Sequence, residues 1–326
     1  MAVKPLNLFY EEPEKDRWLP LDRYPRQVVR RIIRGKRQPG GMERYFLNLC
    51  AGLERIGIPY RINNYRYIQQ HPDEVACIVG KPHLLNKIQW KNPILFGPAV
   101  YSHPCDDPLL LERLPIRQVL VSCEWFRAMY ASSFGNKVTV WASGINTYKW
   151  VPGSFINKDI DILLYDKVRW HYNYYEKELI TPIKSYLQKR GLKVEVIRYG
   201  FYREENFQSL LSRSKGMIFI CEHETQGFAY LQTLAAGVPI LAWDRGGYWQ
   251  DPVYFPEKVK FSPVTSVPYW NEQCGIKFKD IDDFYVKLDE FLDKMDLQQF
   301  VPRNYILENL SLEKCARHYL EILNQL

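Results

Sequence analysis

The sequence predicts an α/β protein with two tandem domains, each built around a parallel sheet. Two observations support this fold class: short apolar runs alternate with amphipathic stretches in two successive series, and a segment without any period separates the series. The chain has 326 residues, enough for two domains of ordinary size. Hydrophobic residues make up 46% of it, so each domain can bury a core.

The first series begins near the start of the chain. A helix is predicted over residues 41–56, because Tyr45, Phe46, Leu49 and Leu53 recur at three- and four-residue spacing. The predicted strands around it are short and apolar: 6–10, 59–63, 75–79, 94–96, 119–121 and 138–141.

A second series follows residues 143–159, which are rich in Gly, Pro, Asn and Ser and are interpreted as the interdomain linker. The predicted strands are 160–165, 194–199, 217–221 and 239–242, and the predicted helices are 175–190, 204–212, 227–236, 281–295 and 312–326. We therefore predict two Rossmann-like domains, 1–150 and 151–326. The last helix is a candidate for packing back toward the first domain.

Positive charge is concentrated in the first domain. The whole chain carries a net charge of +7, but residues 1–150 contain 22 Lys and Arg against 13 Asp and Glu, a net charge of +9. The remainder is close to neutral. This asymmetry predicts that the first domain meets something acidic, such as a phosphate, a lipid headgroup or a polyanion.

One basic segment has two interpretations. In residues 26–37 four aliphatic side chains form one face, and Arg30, Arg31, Arg34 and Arg37 lie largely around it. Such a helix can rest on an anionic membrane surface. The alternative is a solvated helix whose aliphatic side chains pack on the domain.

Several classes of protein are disfavoured. Apolar runs are far shorter than the roughly 20 residues of a membrane span, and no signal-peptide pattern begins the chain, so we expect a cytoplasmic protein, with peripheral membrane contact left open. Seven scattered cysteines without a Cys-x-x-Cys pair are interpreted as reduced structural thiols. We expect no metal cofactor, since the sequence has no Asp-x-Asp and no His/Cys cluster with ligand spacing, and no nucleic-acid partner.

The most informative window is 217–247, which has the pattern of a strand, an acidic turn, a helix with glycine at its start and a second strand. Gln226, Gly227 and Phe228 lie at the predicted helix start, where free backbone N–H groups can bind a phosphate. Glu224 precedes them, and beside a phosphate its carboxylate would face neutral hydroxyls such as those of a sugar. The alternative is that Glu224 only caps the helix.

This window resembles the donor-binding motif of retaining glycosyltransferases with the GT-B architecture, specifically glycosyltransferase family 4 (group 1). In that family a Glu, seven residues and a second Glu precede Ala-x-Ala-x-Gly-x-Pro. Glu224 matches the first Glu, and the motif ends here in Ala235, Gly237 and Pro239. Gln232 stands where the family has its second Glu, whose role is to bind the ribose hydroxyls; a Gln carbonyl can also accept such bonds.

Three other segments carry the resemblance, in the family's order. Residues 39–53 are similar to the glycine-rich loop and first helix, which implies that Gly40 and Gly41 pass close to the donor diphosphate. Residues 120–130 resemble the last strand and helix of the N-terminal domain, and residues 140–152 resemble the segment at the domain junction.

The resemblance also implies a pair of cations for the diphosphate. Lys167 best occupies the first position after the strand 161–165, and Arg169 is a nearby second cation. Fixed positive charge is needed there because a departing nucleoside diphosphate accumulates negative charge. The alternative for Lys167 is a solvated lysine at a strand end.

Two further assignments rest on position within the family pattern. His103, in the loop 97–104, stands where family members often place a His near the acceptor and the donor sugar. Gly200, in the stretch 198–202, stands in the loop expected to contact the nucleobase, although the aromatic residues of that stretch could also be packing.

The sequence thus predicts GT-B architecture, two domains facing each other across a cleft, and transfer of a hexosyl or related group with retention. The donor would be a nucleotide sugar such as a UDP- or GDP-sugar, and the acceptor a cell-surface glycan or a lipid-linked precursor. The alternative is a non-catalytic nucleotide-sugar-binding protein of the same fold. A nicotinamide-dependent dehydrogenase is disfavoured, because no Gly-x-Gly-x-x-Gly follows a predicted strand.

Overall fold

The computed structural model describes residues 4–12, 39–154 and 158–326, so the basic segment 26–37 lies outside the described residues. The chain divides into two compact units. The first unit holds the residues up to Ser122, Tyr130–Ser143 and Cys315–Leu326, and the second holds Cys123–Met129 and Gly144–Lys314. The chain therefore passes into the second unit after Ser143, earlier than the predicted boundary at 150, and one short segment of each unit comes from elsewhere in the sequence.

The first unit contains a six-stranded parallel sheet in the order β2-β1-β3-β4-β5-β6. Its strands are β1 (Leu6–Phe9), β2 (Tyr60–Ile62), β3 (Ala76–Ile78), β4 (Ile94–Phe96), β5 (Ile116–Val121) and β6 (Val138–Val140). All six coincide with strands predicted from the apolar runs. β1, β3 and β4 are buried along their whole length, as parallel strands covered on both faces require.

The second unit contains a five-stranded parallel sheet in the order β11-β10-β9-β7-β8. Its strands are β7 (Ile160–Asp166), β8 (Val194–Arg198), β9 (Ser214–Ile220), β10 (Ile240–Trp243) and β11 (Gly275–Phe278). The first four match predicted strands, whereas β11 was not predicted.

Eleven α-helices occur in the described parts of the chain. They are α1 (Gly41–Arg55), α2 (Tyr65–Gln70), α3 (Leu110–Arg113), α4 (Glu124–Phe134), α5 (Tyr172–Tyr175), α6 (Thr181–Lys189), α7 (Glu204–Arg213), α8 (Phe228–Ala235), α9 (Ile281–Asp296), α10 (Pro302–Asn309) and α11 (Leu312–Leu323). One π-helical turn, Glu176–Ile180, joins α5 to α6. The predicted apolar face of α1 is buried through Tyr45, Phe46, Leu49 and Leu53.

The last helix contributes to the core of the first unit. The indole N–H of Trp141 donates to the Cys315 carbonyl oxygen at 2.8 Å, and the Trp141 and Tyr319 rings meet edge to face at 5.1 Å. Both side chains are completely buried. Residues 174 positions apart in the sequence thus contribute to one core.

The described part of the predicted linker after Ser143 belongs to the second unit and is hydrogen-bonded to it. Ile145 forms a bridge with Ser311. The Arg303 guanidinium donates to the carbonyl oxygens of Trp150 at 2.7 Å, Thr147 at 2.9 Å and Ala235 at 2.5 Å. A charged donor on α10 therefore satisfies two backbone acceptors of this irregular segment and one at the end of α8.

All seven cysteines are free, and only Cys105 is exposed. Within the described residues, none of the helices is long and apolar enough to cross a bilayer.

The order of the second sheet locates a ligand crevice. The chain runs from β7 outward to β8 and then crosses back to β9 on the other side of β7. In doubly wound sheets, ligands bind beyond the carboxyl ends of the strands at such a switch point. Here the switch point lies between the turns that follow β7 and β9.

Candidate functional site

The turns after β7 and β9 are brought together by strand register. Asp166 lies opposite Ile220, and the backbone N–H of Lys167 donates to the Ile220 carbonyl oxygen at 2.8 Å. Lys167 and Glu224 are 57 positions apart in sequence, yet they follow neighbouring strands at the same edge of the sheet.

Lys167 and Glu224 form an ion pair. The Lys167 ammonium donates to Glu224 Oε1, and the two side chains are only 12% and 9% exposed. Burial by itself would lower the pKa of the Lys167 ammonium, but nearby groups, the adjacent Glu224 carboxylate first among them, together raise it. Lys167 is therefore charged, and it is not the solvated strand-end lysine of the alternative interpretation.

The backbone of Glu224 is held from two sides. Its N–H donates to the Thr265 carbonyl oxygen at 3.0 Å, and its own carbonyl oxygen accepts from the indole N–H of Trp125 at 2.8 Å. Gly227 occupies the N-cap of α8, and no side chain caps that helix. The interpretation of Glu224 as a helix cap is therefore wrong, and its carboxylate points to Lys167.

Arg169 is the second predicted cation, and it lies in the same turn as Lys167. Its guanidinium donates to the His223 carbonyl oxygen at 3.1 Å and packs on the Trp170 ring at 4.4 Å. Glu222, which is 1% exposed, accepts the backbone N–H groups of Arg169 and Trp170 through one oxygen. The turn after β7 thus supplies two cations, and the turn after β9 supplies two carboxylates.

His223 lies between these charged groups as a neutral imidazole. Burial, followed by the charges of Arg169, Arg245 and Lys167, lowers the pKa of His223 well below 6.5. The imidazole contacts the Trp125 ring at 5.6 Å and the Trp170 ring at 5.0 Å. Among the described residues, nothing hydrogen-bonds its Nε2.

Helix α8 begins beside the ion pair. Gly227 adopts φ +74°, and a Cβ there would lie 2.2 Å from the Tyr230 ring, so the position requires glycine. Gln226 is buried before it, Phe228 is the first helical residue, and Gln232 is buried one turn further on. The donor motif predicted from sequence is thus assembled around one helix start.

Gly200 also has a left-handed conformation, with φ +85° in the turn after β8. Its neighbours divide between two roles. Phe201 is 82% exposed and Tyr199 is half exposed, with the Lys167 ammonium 4.4 Å from the Tyr199 ring centre, whereas Tyr202 hydrogen-bonds the buried Tyr165 hydroxyl at 2.7 Å. The Phe201 ring is therefore open for stacking, the Tyr199 ring is covered on one face by Lys167, and Tyr202 is packing.

The remaining predicted site residues belong to the first unit. Gly40 is the N-cap of α1 with φ −67°, and a Cβ on Gly41 would meet nothing within 4 Å, so this helix start is open. His103 caps the turn Pro104–Asp106: its Nδ1 accepts from the Cys105 N–H at 3.1 Å. Burial lowers the pKa of His103. The geometry shows a capping role for this His.

Trp125, Glu222 and His223 were not predicted as site residues from the sequence. The acidic turn Glu222-His223-Glu224 directly after a buried strand was a signal that could have identified two of them. In the described parts of the chain, no group of three or more His, Cys, Asp or Glu could hold a metal ion.

No family model matches the sequence, and no curated protein matches it either. Solved structures do match. A sucrose-phosphate synthase from Thermosynechococcus elongatus has a TM-score of 0.57 at 12% identity, covering 88% of this chain and 93% of its own. The lipopolysaccharide outer core galactosyltransferase WaaB has a TM-score of 0.57 at 10% identity, with coverage of 88% and 96%. AviGT4, a glycosyltransferase involved in avilamycin A biosynthesis, has a TM-score of 0.53 at 12% identity, with coverage of 98% of both chains.

These neighbours are glycosyltransferases with two parallel-sheet α/β domains, and the likeness extends over most of each chain. The fold class predicted from the sequence, the GT-B architecture, is therefore confirmed.

Proposed function

We propose that this protein is a retaining glycosyltransferase of the family 4 type, which moves a sugar from a nucleoside-diphosphate sugar to an acceptor hydroxyl. One observation carries the proposal: the two turns at the switch point of the second sheet bring Lys167 against Glu224, directly beside the start of α8. A cation, a carboxylate and the N-terminal N–H groups of a helix then meet where a doubly wound sheet binds its ligand.

Each group has a role in this proposal. Lys167 and Arg169 face the diphosphate, together with the backbone N–H groups around Gly227. Glu224 accepts hydrogen bonds from hydroxyls of the donor sugar, and Gln232 accepts them from the ribose. The exposed rings of Tyr199 and Phe201, on either side of Gly200, offer faces to the base.

Because of the ion pair, binding of the donor exchanges the partner of the Lys167 ammonium. In the free protein the Lys167 ammonium is neutralised by Glu224. A bound diphosphate competes for that ammonium and carries more charge than one carboxylate. Glu224 is then released from part of its ion pair and becomes available to neutral sugar hydroxyls.

The reaction needs no enzymic nucleophile. The acceptor oxygen bonds to the anomeric carbon on the face that the diphosphate leaves, the bond from that carbon to the phosphate oxygen breaks, and the acceptor proton passes to the leaving phosphate. The nucleoside diphosphate is the second product. Positioning and electrostatic stabilisation of the leaving group are the contributions expected from the protein.

The acceptor proposed from charge is a phosphate-bearing lipid or a glycan precursor presented at an anionic surface. The support is the net charge of +9 in residues 1–150. His103 and the glycines Gly40 and Gly41 remain proposed acceptor-side and diphosphate-side residues, on the family pattern.

Turnover with a panel of UDP- and GDP-sugars tests the function. We expect release of nucleoside diphosphate with at least one donor, and a product whose anomeric configuration, read by NMR, equals that of the donor. Lys167→Ala should lower kcat about 100-fold, as when one preorganised transition-state donor is lost. The exposed Lys189→Ala is the matched control and should leave kcat unchanged. An inverted product would refute the retaining mechanism.

A non-catalytic nucleotide-sugar-binding protein is the second candidate. Gln232 in place of the family's second Glu, together with the direct neutralisation of Lys167, favours it. Binding of a nucleotide sugar by calorimetry without any turnover, across a panel of acceptors, would decide for this candidate.

A further inference from the structure

Two backbone N–H groups of the turn after β7 donate to a single buried carboxylate oxygen. Glu222 Oε1 accepts the backbone N–H of Arg169 at 2.7 Å and that of Trp170 at 2.8 Å. Glu222 comes from the turn after β9 and is 1% exposed. The bond therefore ties together the two turns that form the candidate site.

Consecutive backbone N–H groups after the first strand of a doubly wound sheet are a common binding place for anions. Here the protein's own carboxylate occupies these N–H groups. Because Glu222 is buried, a phosphate from solvent cannot reach them. The positive charge that this turn can offer to a ligand must come from its side chains.

Arg169 is a cation that the turn presents to solvent, with 34% of its side chain exposed. Glu222 Oε2 lies 3.9 Å from its Nε, and among the described residues no group hydrogen-bonds that oxygen. The guanidinium also donates to the carbonyl of His223, which follows Glu222. Both the backbone and the guanidinium of Arg169 are thus oriented by the turn after β9.

We propose that Glu222 is a positioning residue of the diphosphate site, which holds the turn after β7 so that Arg169 points its guanidinium at the ligand. This inference rests on the proposed function of the same site. Glu222 does not contact the ligand, and its whole effect on binding passes through Arg169.

A double-mutant cycle tests the proposal, with inorganic pyrophosphate as the probe and calorimetry as the readout. Glu222→Gln keeps the side-chain volume but removes the charge, and should weaken binding about tenfold, as loss of an outer-shell partner does. Arg169→Ala should weaken it about ten- to hundredfold. The double variant should bind no more weakly than Arg169→Ala, because Glu222 acts through Arg169. Additive losses would overturn the proposal.

Glu257→Gln is the control for removal of one negative charge, since Glu257 is exposed in the same unit. It should bind pyrophosphate like the wild type. A tenfold weakening in this variant as well would show that the loss of affinity does not depend on the position of Arg169, which would overturn the inference.

Hydrogen exchange on the wild type decides the question even if Glu222→Gln does not fold. The amides of Arg169 and Trp170 should be protected in the free protein, and pyrophosphate should not change their protection. Rapid exchange in the free protein, or protection that arises only with pyrophosphate, would overturn the proposal.

The experiment separates this inference from the function on which it rests. Failure of the wild type to bind either pyrophosphate or UDP would remove the proposed donor site and the inference with it. Binding that is lost in Arg169→Ala but unchanged in Glu222→Gln would leave the donor site in place and remove only the role of Glu222.

Discussion

At the scale of single residues, the ion pair of Lys167 and Glu224 combines a structural and a chemical role. Both side chains are largely removed from water, so each charge depends on the other for compensation. The same pair supplies the cation and the carboxylate of the proposed donor site. Substitutions at either position therefore change stability as well as turnover, and the two effects must be measured separately.

We predict that Lys167→Met and Glu224→Gln each lower the free energy of unfolding by about 3 kcal/mol, because each leaves one buried charge without a partner. The double variant should lose much less than the sum of the two. Urea denaturation measures all three. Asp159→Asn, in the exposed pair with Arg213, is the control and should change the urea midpoint little. Additive losses would show that the pair is not coupled.

His223 predicts a dependence of stability on pH. Its pKa in the folded protein lies well below 6.5, whereas in the unfolded chain the imidazole titrates near 6.5. As pH falls below 6.5, the unfolded state therefore binds a proton at His223 that the folded state does not bind. The contribution of His223 to the free energy of unfolding is thus complete above pH 6.5 and is lost as pH falls. Between pH 7.5 and 5.5 the loss from this residue should be about 1.4 kcal/mol.

Urea denaturation of the wild type and His223→Gln at both pH values checks this prediction. The other histidines are the same in both proteins, so the difference between the two pH dependences isolates His223. Equal pH dependences would mean that the His223 imidazole binds a proton as readily in the folded protein as in the unfolded chain.

At the scale of elements, the start of α8 and the turns after β7 and β9 form the site because β7 and β9 are neighbours in register. Gly227 is the N-cap of this helix. Its left-handed backbone and the close approach of Tyr230 make two separate demands, and only glycine meets both. Tyr230 is fully buried and cannot move aside.

We predict that Gly227→Ala lowers the free energy of unfolding by about 3 kcal/mol or more, from backbone strain and a steric clash together. Gly246→Ala is the matched control, because Gly246 has φ +67° but a Cβ there meets nothing within 4 Å. The control should lose only the strain, about 1 kcal/mol. Similar losses in urea denaturation of the two variants would show that contact with Tyr230 is not the constraint.

At the scale of the whole molecule, each unit is completed by residues from outside its main stretch of sequence. Cys315–Leu326 belong to the first unit, and Cys123–Met129 to the second. Within the second unit, Trp125 from this segment donates to the Glu224 carbonyl oxygen. The proposed donor site therefore needs a residue that the predicted boundary at 150 assigned to the other domain.

We predict that Tyr319→Ala destabilises the first unit by about 3–5 kcal/mol, because it empties a fully buried aromatic position. Hydrogen exchange followed by mass spectrometry should show faster exchange in β1 and β3. Strands β7 and β9 of the second unit should keep their protection, since Tyr319 belongs to the first unit. Equal loss of protection in all four strands would mean that the two units unfold together.

Helices and strands with a clear local pattern of apolar residues could be identified from the amino-acid sequence alone. Apolar runs located ten of the eleven strands of the described chain, and the period of α1 identified its buried face. The motif from Glu224 to Pro239 is continuous in sequence, so its position could be read directly. Strand β11 was missed because four residues after a long irregular segment carry little periodic signal.

Contacts between residues that are distant in the sequence could be identified only from the tertiary structure. Lys167 and Glu224 are separated by 57 positions, and Trp125 and Glu224 by 99. Periodicity describes the neighbours of a residue along one helix or strand, whereas the contact of Lys167 with Glu224 depends on the crossover that places β9 beside β7, and that of Trp125 depends on a segment from another part of the chain. Glu222 became visible for the same reason: its partners are the backbone N–H groups of Arg169 and Trp170, and a backbone group leaves no mark on the sequence.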